Sequence, residues 1–425
     1  MTTHHTGLSL RHNFSWSFVG NIVYAASQWA ALSALTKLTT TDQVGRFALG
    51  LAITAPIILF SQLQLRSIQA TDARNEFQFP NYFALRITAT VLAMIIIGAI
   101  TIFGKYPLRT ALIIIAVAVL KSIDSIADVF YGVMQKYERM DRIAKSRILK
   151  ATLSLPAFIA VVFLTENIFM ALSAQAAVLF IILITFDLRN TLTTVAEHEK
   201  TDKLNFSSII PDFDFRSLRR LTILALPLGC VMGLLSLKTN IPKYIIEKVI
   251  GTDGLGIFAA LAYIIVAGNM VIAATGQASL PRLAKYYAAG EKKQYIKLLM
   301  QLVGIGAIIA TAGSVGALVL GKPVLTILYN REYASYTTLF SLLMFAGGLN
   351  YIATFMGHGM TAARYFRAQL PLFIIVTAVT GCAAWNFIPK FGLHGAAFSI
   401  AAGAIIQIIG SAFIIITAIR KLPGT

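Results

Sequence analysis

The sequence predicts an all-α polytopic membrane protein of about twelve transmembrane helices in two six-helix lobes, and three observations carry that prediction. Its composition is 57% hydrophobic and only 13% charged, with a mean hydropathy of +0.74, beyond the range of soluble domains. Runs of about 20 apolar residues, enough to cross a bilayer at ~1.5 Å per helical residue, recur along the whole chain. The sequence flanking those runs repeats in register between the two halves.

The runs are Trp16–Leu38, Val44–Leu65, Tyr82–Phe103, Leu108–Tyr131, Ile148–Leu164 and Ile168–Phe186 in the first half. In the second they are Leu221–Leu237, Leu255–Leu280, Leu298–Leu320, Thr337–Met356, Leu370–Phe387 and Gly395–Ile419. The first run is rich in Ser, Ala and Gln and follows fifteen polar residues, so no cleavable signal peptide is expected. The second and eighth runs are preceded by Thr-Asp, which caps helix N-termini, and the fourth and tenth follow Gly/Pro turns. Between the sixth and seventh lies the longest polar segment, with six acidic and six basic residues and no periodic apolar face of useful length. The expected organisation is a cytoplasmic tail 1–15, a first lobe 16–186, a cytoplasmic linker 187–220, a second lobe 221–419 and a cytoplasmic tail 420–425.

Orientation follows from the basic residues, which cytoplasmic loops accumulate. With both termini inside, 25 of the 36 lysines and arginines fall in cytoplasmic segments, among them Arg66, Arg74, Arg86, Arg147, Lys150, Lys200, Lys203, Arg364 and Lys421. Nine fall outside, including Arg46, Arg109 and Arg331, which read as interface anchors. The remaining two, Lys121 and Lys238, lie within or at the end of a span. Topology therefore accounts for most of the +18 net charge, and a nucleic-acid partner is not expected.

Other classes are excluded by what is missing. Cys230 and Cys382 sit inside predicted spans in opposite halves, which rules out a disulfide framework or a CxxC metal site. His4, His5 and His12 lie in the tail, and His198, His358 and His394 occur singly. Without a P-loop, a GxSxG or an HExxH, the chain is expected neither to hydrolyse ATP nor to be an enzyme. A carrier or channel remains.

The internal repeat favours a carrier. TDQVGRFA (Thr41 to Ala48) precedes the second run and TDGLGIFA (Thr252 to Ala259) the eighth, at an offset of 211 residues. GKYP (Gly104 to Pro107) precedes the fourth and GKP (Gly321 to Pro323) the tenth, at 217. Six spans separate each matched pair, so the halves enter the membrane with the same orientation, as a parallel repeat. The bland alternative is that both motifs are ordinary helix-start and turn chemistry.

Six stretches carry a family resemblance: FSQLQLRSIQATDAR (Phe60 to Arg74), YGVMQKYERMDRIAKS (Tyr131 to Ser146), NIPKYIIE (Asn240 to Glu247), GLGIFAALAYI (Gly254 to Ile264), LPRLAKYYAAGE (Leu280 to Glu291) and FGLHGAA (Phe391 to Ala397). They resemble the polysaccharide-transporter branch of the multidrug/oligosaccharidyl-lipid/polysaccharide (MOP) exporter superfamily, which includes the Wzx-type flippases, over nearly the whole chain. The resemblance implies a MATE-like, V-shaped pair of lobes around a cationic central cavity that opens alternately inward and outward. It further implies transport of undecaprenyl-pyrophosphate-linked oligosaccharide across a bacterial plasma membrane, for O-antigen, capsule or cell-wall glycan assembly. Implied partners are that lipid-linked glycan, membrane lipids, a polysaccharide polymerase and glycosyltransferases, with a monomer as the working unit. No cofactor is expected; coupling to protons or sodium stays open. Asn21 stands where many proton-coupled drug exporters of the superfamily carry an aspartate, and the two additional helices of fourteen-helix lipid II flippases are missing. The alternatives are an ion-coupled small-molecule antiporter of the same fold and a non-transporting assembly scaffold.

Candidate binding residues follow from spacing. Lys121, Asp124 and Asp128 in the fourth run are spaced i, i+3, i+7 and share one helix face, while Ile123, Ile126, Ala127 and Val129 occupy the others. Charges inside a span normally face a bundle interior or a wet cavity. One reading makes the stripe a binding wall; the other makes it a self-neutralised Lys121–Asp124 pair, with Asp128 in the interface beside Tyr131. Lys238 precedes Pro242, so it either flanks a broken helix at the substrate path or snorkels to the outer interface. Arg66 and Arg86 either form a phosphate-gripping vestibule at the inner end or anchor the helices there, the anchor reading being preferred for Arg86. Asn21, Tyr24 and Gln28 share a face of the first span and either line the cavity or bind helices together.

Overall fold

The computed structural model describes residues 10–72, 75–199, 209–363 and 365–420. Arg74, Lys200, Lys203, Arg364 and Lys421 of the charge census lie outside the described residues, as do His4, His5, much of both tails and part of the segment 187–220.

Among the described residues every regular element is a helix. The α-helices are α1 (Leu10–Leu38), α2 (Thr41–Ser61), α3 (Leu65–Thr71), α4 (Phe79–Phe103), α5 (Leu108–Lys136), α6 (Met140–Thr165) and α7 (Ile168–Ile182). A π-helical turn, Leu183–Asp187, joins α7 to α8 (Leu188–Glu199). The chain continues as α9 (Phe215–Val249), α10 (Thr252–Ala288), α11 (Lys292–Leu328), α12 (Thr337–Ala362), α13 (Phe366–Phe391) and α14 (Leu393–Arg420).

Among the described residues eleven helical segments are long and apolar enough to cross a bilayer. α1 has the length, 29 residues, but Ser15, Ser17, Asn21, Ser27 and Gln28 dilute its apolar run. Phe103, Leu164, Val319 and Phe413 point outward, an exterior that belongs in lipid. This is a multi-pass membrane protein.

Three expected boundaries move, each for a physical reason. α2 stops at Ser61 because Leu63 and Gln64 take left-handed conformations (φ 51° and 52°), which turn the chain into α3 and aim Arg66 at α5. α6 starts eight residues before the predicted run, so Met140 to Arg147 are helical rather than loop. α9 continues through Pro242 instead of breaking: the ring withholds only the bond that the Lys238 carbonyl would accept. Residues 188–199 also gain an apolar face that their charge concealed. Leu192 and Ala196, one turn apart, are buried, while Arg139 and Arg142 both grip Glu197.

The chain resolves into two compact units. The first comprises residues up to Thr39 together with Gly50–Gly233. In it α1 lies so close to α6 that a Cβ on Gly20 would come within 2.8 Å of the Ala144 Cα. Between α3 and α4, Asp72 accepts from the amides of Glu76 (3.0 Å) and Phe77 (3.1 Å) and from the Tyr82 hydroxyl (3.3 Å). Partial burial pushes the Asp72 carboxyl up, but those donors outweigh it and hold it below its usual value.

The second unit is Thr40–Leu49 with Leu234–Thr425, cored by Tyr295, Leu299, Tyr351, Phe355 and Val376. Within it the two copies of the repeat meet. Thr41 Oγ1 donates to Asp253 Oδ1 (2.6 Å), and Thr252 Oγ1 donates to Asp42 Oδ1. A Cβ on Gly45 would sit 1.8 Å from the Thr252 carbonyl oxygen, and one on Gly256 2.2 Å from that of Thr41. The shared T-D-x-x-G is therefore more than two independent caps: it is a helix crossing in which each copy binds the other.

Candidate functional site

The stripe on α5 is the centre of a polar network in the first unit. Leu120, Ser122, Ile123, Ala127 and Val129 are buried, whereas Lys121, Asp124 and Asp128 stay partly accessible. The α3 turn supplies Arg66, whose Nη1 lies 3.4 Å from Asp128 Oδ1 and whose Nε donates to Gln135 Oε1 at 2.7 Å. From α4, Arg86 reaches the other oxygen, Asp128 Oδ2, at 3.3 Å and donates to Ser125 Oγ at 3.1 Å. Its side chain is 0% exposed, against 26% for Asp128. Arg86 is thus a sealed counter-charge to the stripe, which corrects its reading as an interfacial anchor.

Asp124 collects three partners. Tyr24 of α1 donates its hydroxyl to Oδ2 at 3.1 Å, Lys121 lies 3.9 Å from the same oxygen, and Lys150 of α6 lies 3.9 Å from Oδ1. Lys150 also pairs with Asp187 at 3.1 Å, where both side chains are sealed. Asp187 reaches this place because it ends the π-helical turn: the wider turn shifts the helix register, a feature common at functional sites. Above Tyr131, whose hydroxyl shares a 2.7 Å bond with Ser146, three cations gather: Lys150 at 5.2 Å from the ring centre, Arg66 at 5.6 Å and Arg147 at 5.9 Å.

Arg66, Lys121, Asp124, Asp128 and Tyr24 are therefore brought together. Asn21 is exposed on α1 and Gln28 half-buried, and neither joins the network. Lys238 lies in the second unit, 7% exposed, with Nζ donating to Asn350 Oδ1 (2.9 Å) and Gln407 Oε1 (2.7 Å). It neither snorkels nor flanks a broken helix. Sequence reasoning missed Lys150, Asp187 and Arg147, which it placed in loops. The signal for Lys150 was present: Ser146, Lys150 and Ser154 form a buried polar stripe at four-residue spacing that runs into the apolar run. For Asp187 there was none, because a π-turn has no sequence signature.

Residues 10–287 match the family described as polysaccharide biosynthesis protein. The chain belongs to this family. It is similar to the capsular polysaccharide biosynthesis protein CapF of Staphylococcus aureus, with 30% identity over 401 residues, 93% of this chain and 97% of that protein. Solved structures share the fold. An inward-facing multidrug resistance MATE family transporter of the MOP superfamily superposes with TM-score 0.63 at 15% identity, covering 99% of this chain and 98% of the other. A Vibrio cholerae MATE transporter gives 0.61 at 14%, covering 96% and 97%. A MOP superfamily transporter from Pyrococcus furiosus, described as having a binding pocket of reversed polarity, gives 0.58 at 15%, covering 96% and 95%. The family is thus that of the polysaccharide biosynthesis proteins, and the fold is one shared with MATE transporters of the MOP superfamily.

Proposed function

We propose that this protein is a flippase that carries an undecaprenyl-pyrophosphate-linked oligosaccharide across a bacterial plasma membrane for surface polysaccharide assembly. One observation carries the reading. The network around α5 holds five cations, Arg66, Arg86, Lys121, Arg147 and Lys150, against three carboxylates, Asp124, Asp128 and Asp187. Two positive charges are left over, and a diphosphate diester carries two negative ones. Arg66 and Lys121, both partly accessible, are the groups able to exchange a carboxylate for a phosphate oxygen, and the arginine fork suits that ligand. The sealed Arg86 and Asp187 hold the frame, Tyr24 fixes Asp124, and the lipid tail stays in the bilayer.

The similarity to CapF supports a capsular or related glycan as cargo. The basic-residue bias supports cytoplasmic termini. A working monomer, with a polymerase and glycosyltransferases acting before and after it, completes the proposal. The MATE-like fold keeps a small-molecule antiporter as the second reading, but a net-cationic network is a poor receptor for cationic drugs.

The test is transport of a fluorescent undecaprenyl-diphosphate-linked saccharide in proteoliposomes. The wild type should move the probe, with Arg66→Gln and Lys121→Gln at least about tenfold slower. Deletion should make lipid-linked repeat units accumulate on the cytoplasmic side. An unchanged surface glycan in the deletion strain, with altered drug susceptibility, would replace the flippase by the antiporter.

A further inference from the structure

Lys238 differs from the two lysines of the α5 network in having no carboxylate. Lys121 has Asp124, and Lys150 has Asp187. Among the described residues Lys238 makes no ion pair; both its partners are neutral amides, on α12 and α14. The second unit contains only five acidic residues: Asp42, Glu247, Asp253, Glu291 and Glu332. Each lies at a helix end or in a turn, and residues 337–420, which form α12, α13 and α14, contain none. No internal counter-charge for Lys238 exists along those three helices.

Two neutral side-chain oxygens are aimed at that ammonium. Gln407 is buried, and its Nε2 donates to the Ala353 carbonyl at 3.4 Å, which turns its oxygen toward the ammonium. Asn350 presents a second oxygen from the half-buried side. Acceptors stabilise an ammonium without neutralising it, and two of them leave the third N–H available. An uncompensated charge among membrane helices is strongly disfavoured, and such residues mark ligand pathways. A packing lysine would be better replaced by methionine.

We infer that Lys238, positioned by Asn350 and Gln407, is an oxyanion-binding site of the second unit, which takes a carboxylate or phosphate oxygen of the lipid-linked glycan. The inference rests on the flippase reading and adds to it a second cationic contact, carried on α9. The oxyanion has two possible sources, the diphosphate linkage or an acidic sugar, and the test distinguishes them.

Full-length protein in nanodiscs is titrated with three probes: undecaprenyl diphosphate, an undecaprenyl-diphosphate-linked disaccharide bearing a uronate, and the methyl ester of that disaccharide. Lys238→Met keeps the side-chain volume and removes the charge, and Lys238→Arg keeps the charge. The expected result is at least about tenfold weaker binding by Lys238→Met, with Lys238→Arg near wild type. Loss for all three probes assigns the site to the diphosphate; loss for the uronate alone assigns it to the sugar carboxylate. Wild-type affinity of Lys238→Met for all three probes overturns the inference and leaves the flippase reading standing. Failure of the wild type to bind any probe overturns both. If Lys238→Met does not fold, Gln407→Leu decides, because it removes an oxygen that positions the ammonium: weaker binding of the probes at an unchanged melting temperature supports the inference, and wild-type affinity for all three overturns it.

Discussion

Replacing Asp187 by asparagine probes whether the α5 network is held by its buried ion pair. Asp187 is sealed, and its ion partner is Lys150 at 3.1 Å; Asp124 offers Lys150 a second carboxylate at 3.9 Å. At an effective dielectric of ~20, the gross attractions are about 5 and about 4 kcal/mol. Desolvation of the ions offsets most of that, so the pair itself is worth little compared with an apolar pair of the same shape. Removing one partner is different, because it strands the other charge at a cost of about 3–5 kcal/mol. Asp187→Asn preserves shape and leaves Lys150 with the distant Asp124, so a loss near 3 kcal/mol is expected. The double change Lys150→Met with Asp187→Leu strands nothing and should return to within about 1–2 kcal/mol of wild type. Denaturant titration in detergent micelles measures the wild type, Asp187→Asn, the double variant and both of its singles, Lys150→Met and Asp187→Leu. A single-variant loss below about 1 kcal/mol, or a double variant as unstable as the sum of the singles, would refute a functional pairing of these two ions.

The remaining predictions concern neighbouring features. Gly45→Ala drives a methyl group into the Thr252 carbonyl and should cost at least about 1–3 kcal/mol, whereas Gly98→Ala meets nothing within 4 Å and should be neutral or stabilising; comparative melting curves decide. Asp72 has a depressed folded-state value, so its contribution is present above its unfolded value near ~4 and vanishes as pH falls through the folded one. Wild type should therefore melt above Asp72→Asn at pH 7, and the difference should close as pH falls below that unfolded value. Tyr24→Phe removes one hydrogen bond to a partly accessible carboxylate and should cost no more than about 1 kcal/mol in the same denaturant assay.

The helices and the α5 stripe were legible because periodicity and span length are local properties. Lys121, Asp124 and Asp128 share a face whatever packs against them, and the structure keeps that face polar. What claims each carboxylate was not legible. Arg86 lies four residues into its apolar run, where an anchor and a buried counter-charge look alike until α4 is set against α5. Lys150 sits in a charged stretch that charge statistics assign to a loop, yet α6 begins at Met140 and carries it inside. Asp187 was the first acid after an apolar run and so marked its end, while the backbone continues through a π-turn into α8. At Pro242 the error was of the opposite kind. A local rule predicted a break, and a 35-residue helix tolerated the loss of one hydrogen bond.

The reciprocal exchange of Thr41 with Asp253 and of Thr252 with Asp42 has the form of an isologous contact, in which residue i of one copy touches j of the other and j touches i. That is the signature of a homodimer interface, here held within a single chain. A duplicated half that once paired with its twin would retain matching letters where the twins touched, and drift would then be confined to changes made on both sides together. Exchanging threonine and aspartate across both pairs at once should accordingly be tolerated better than either exchange alone.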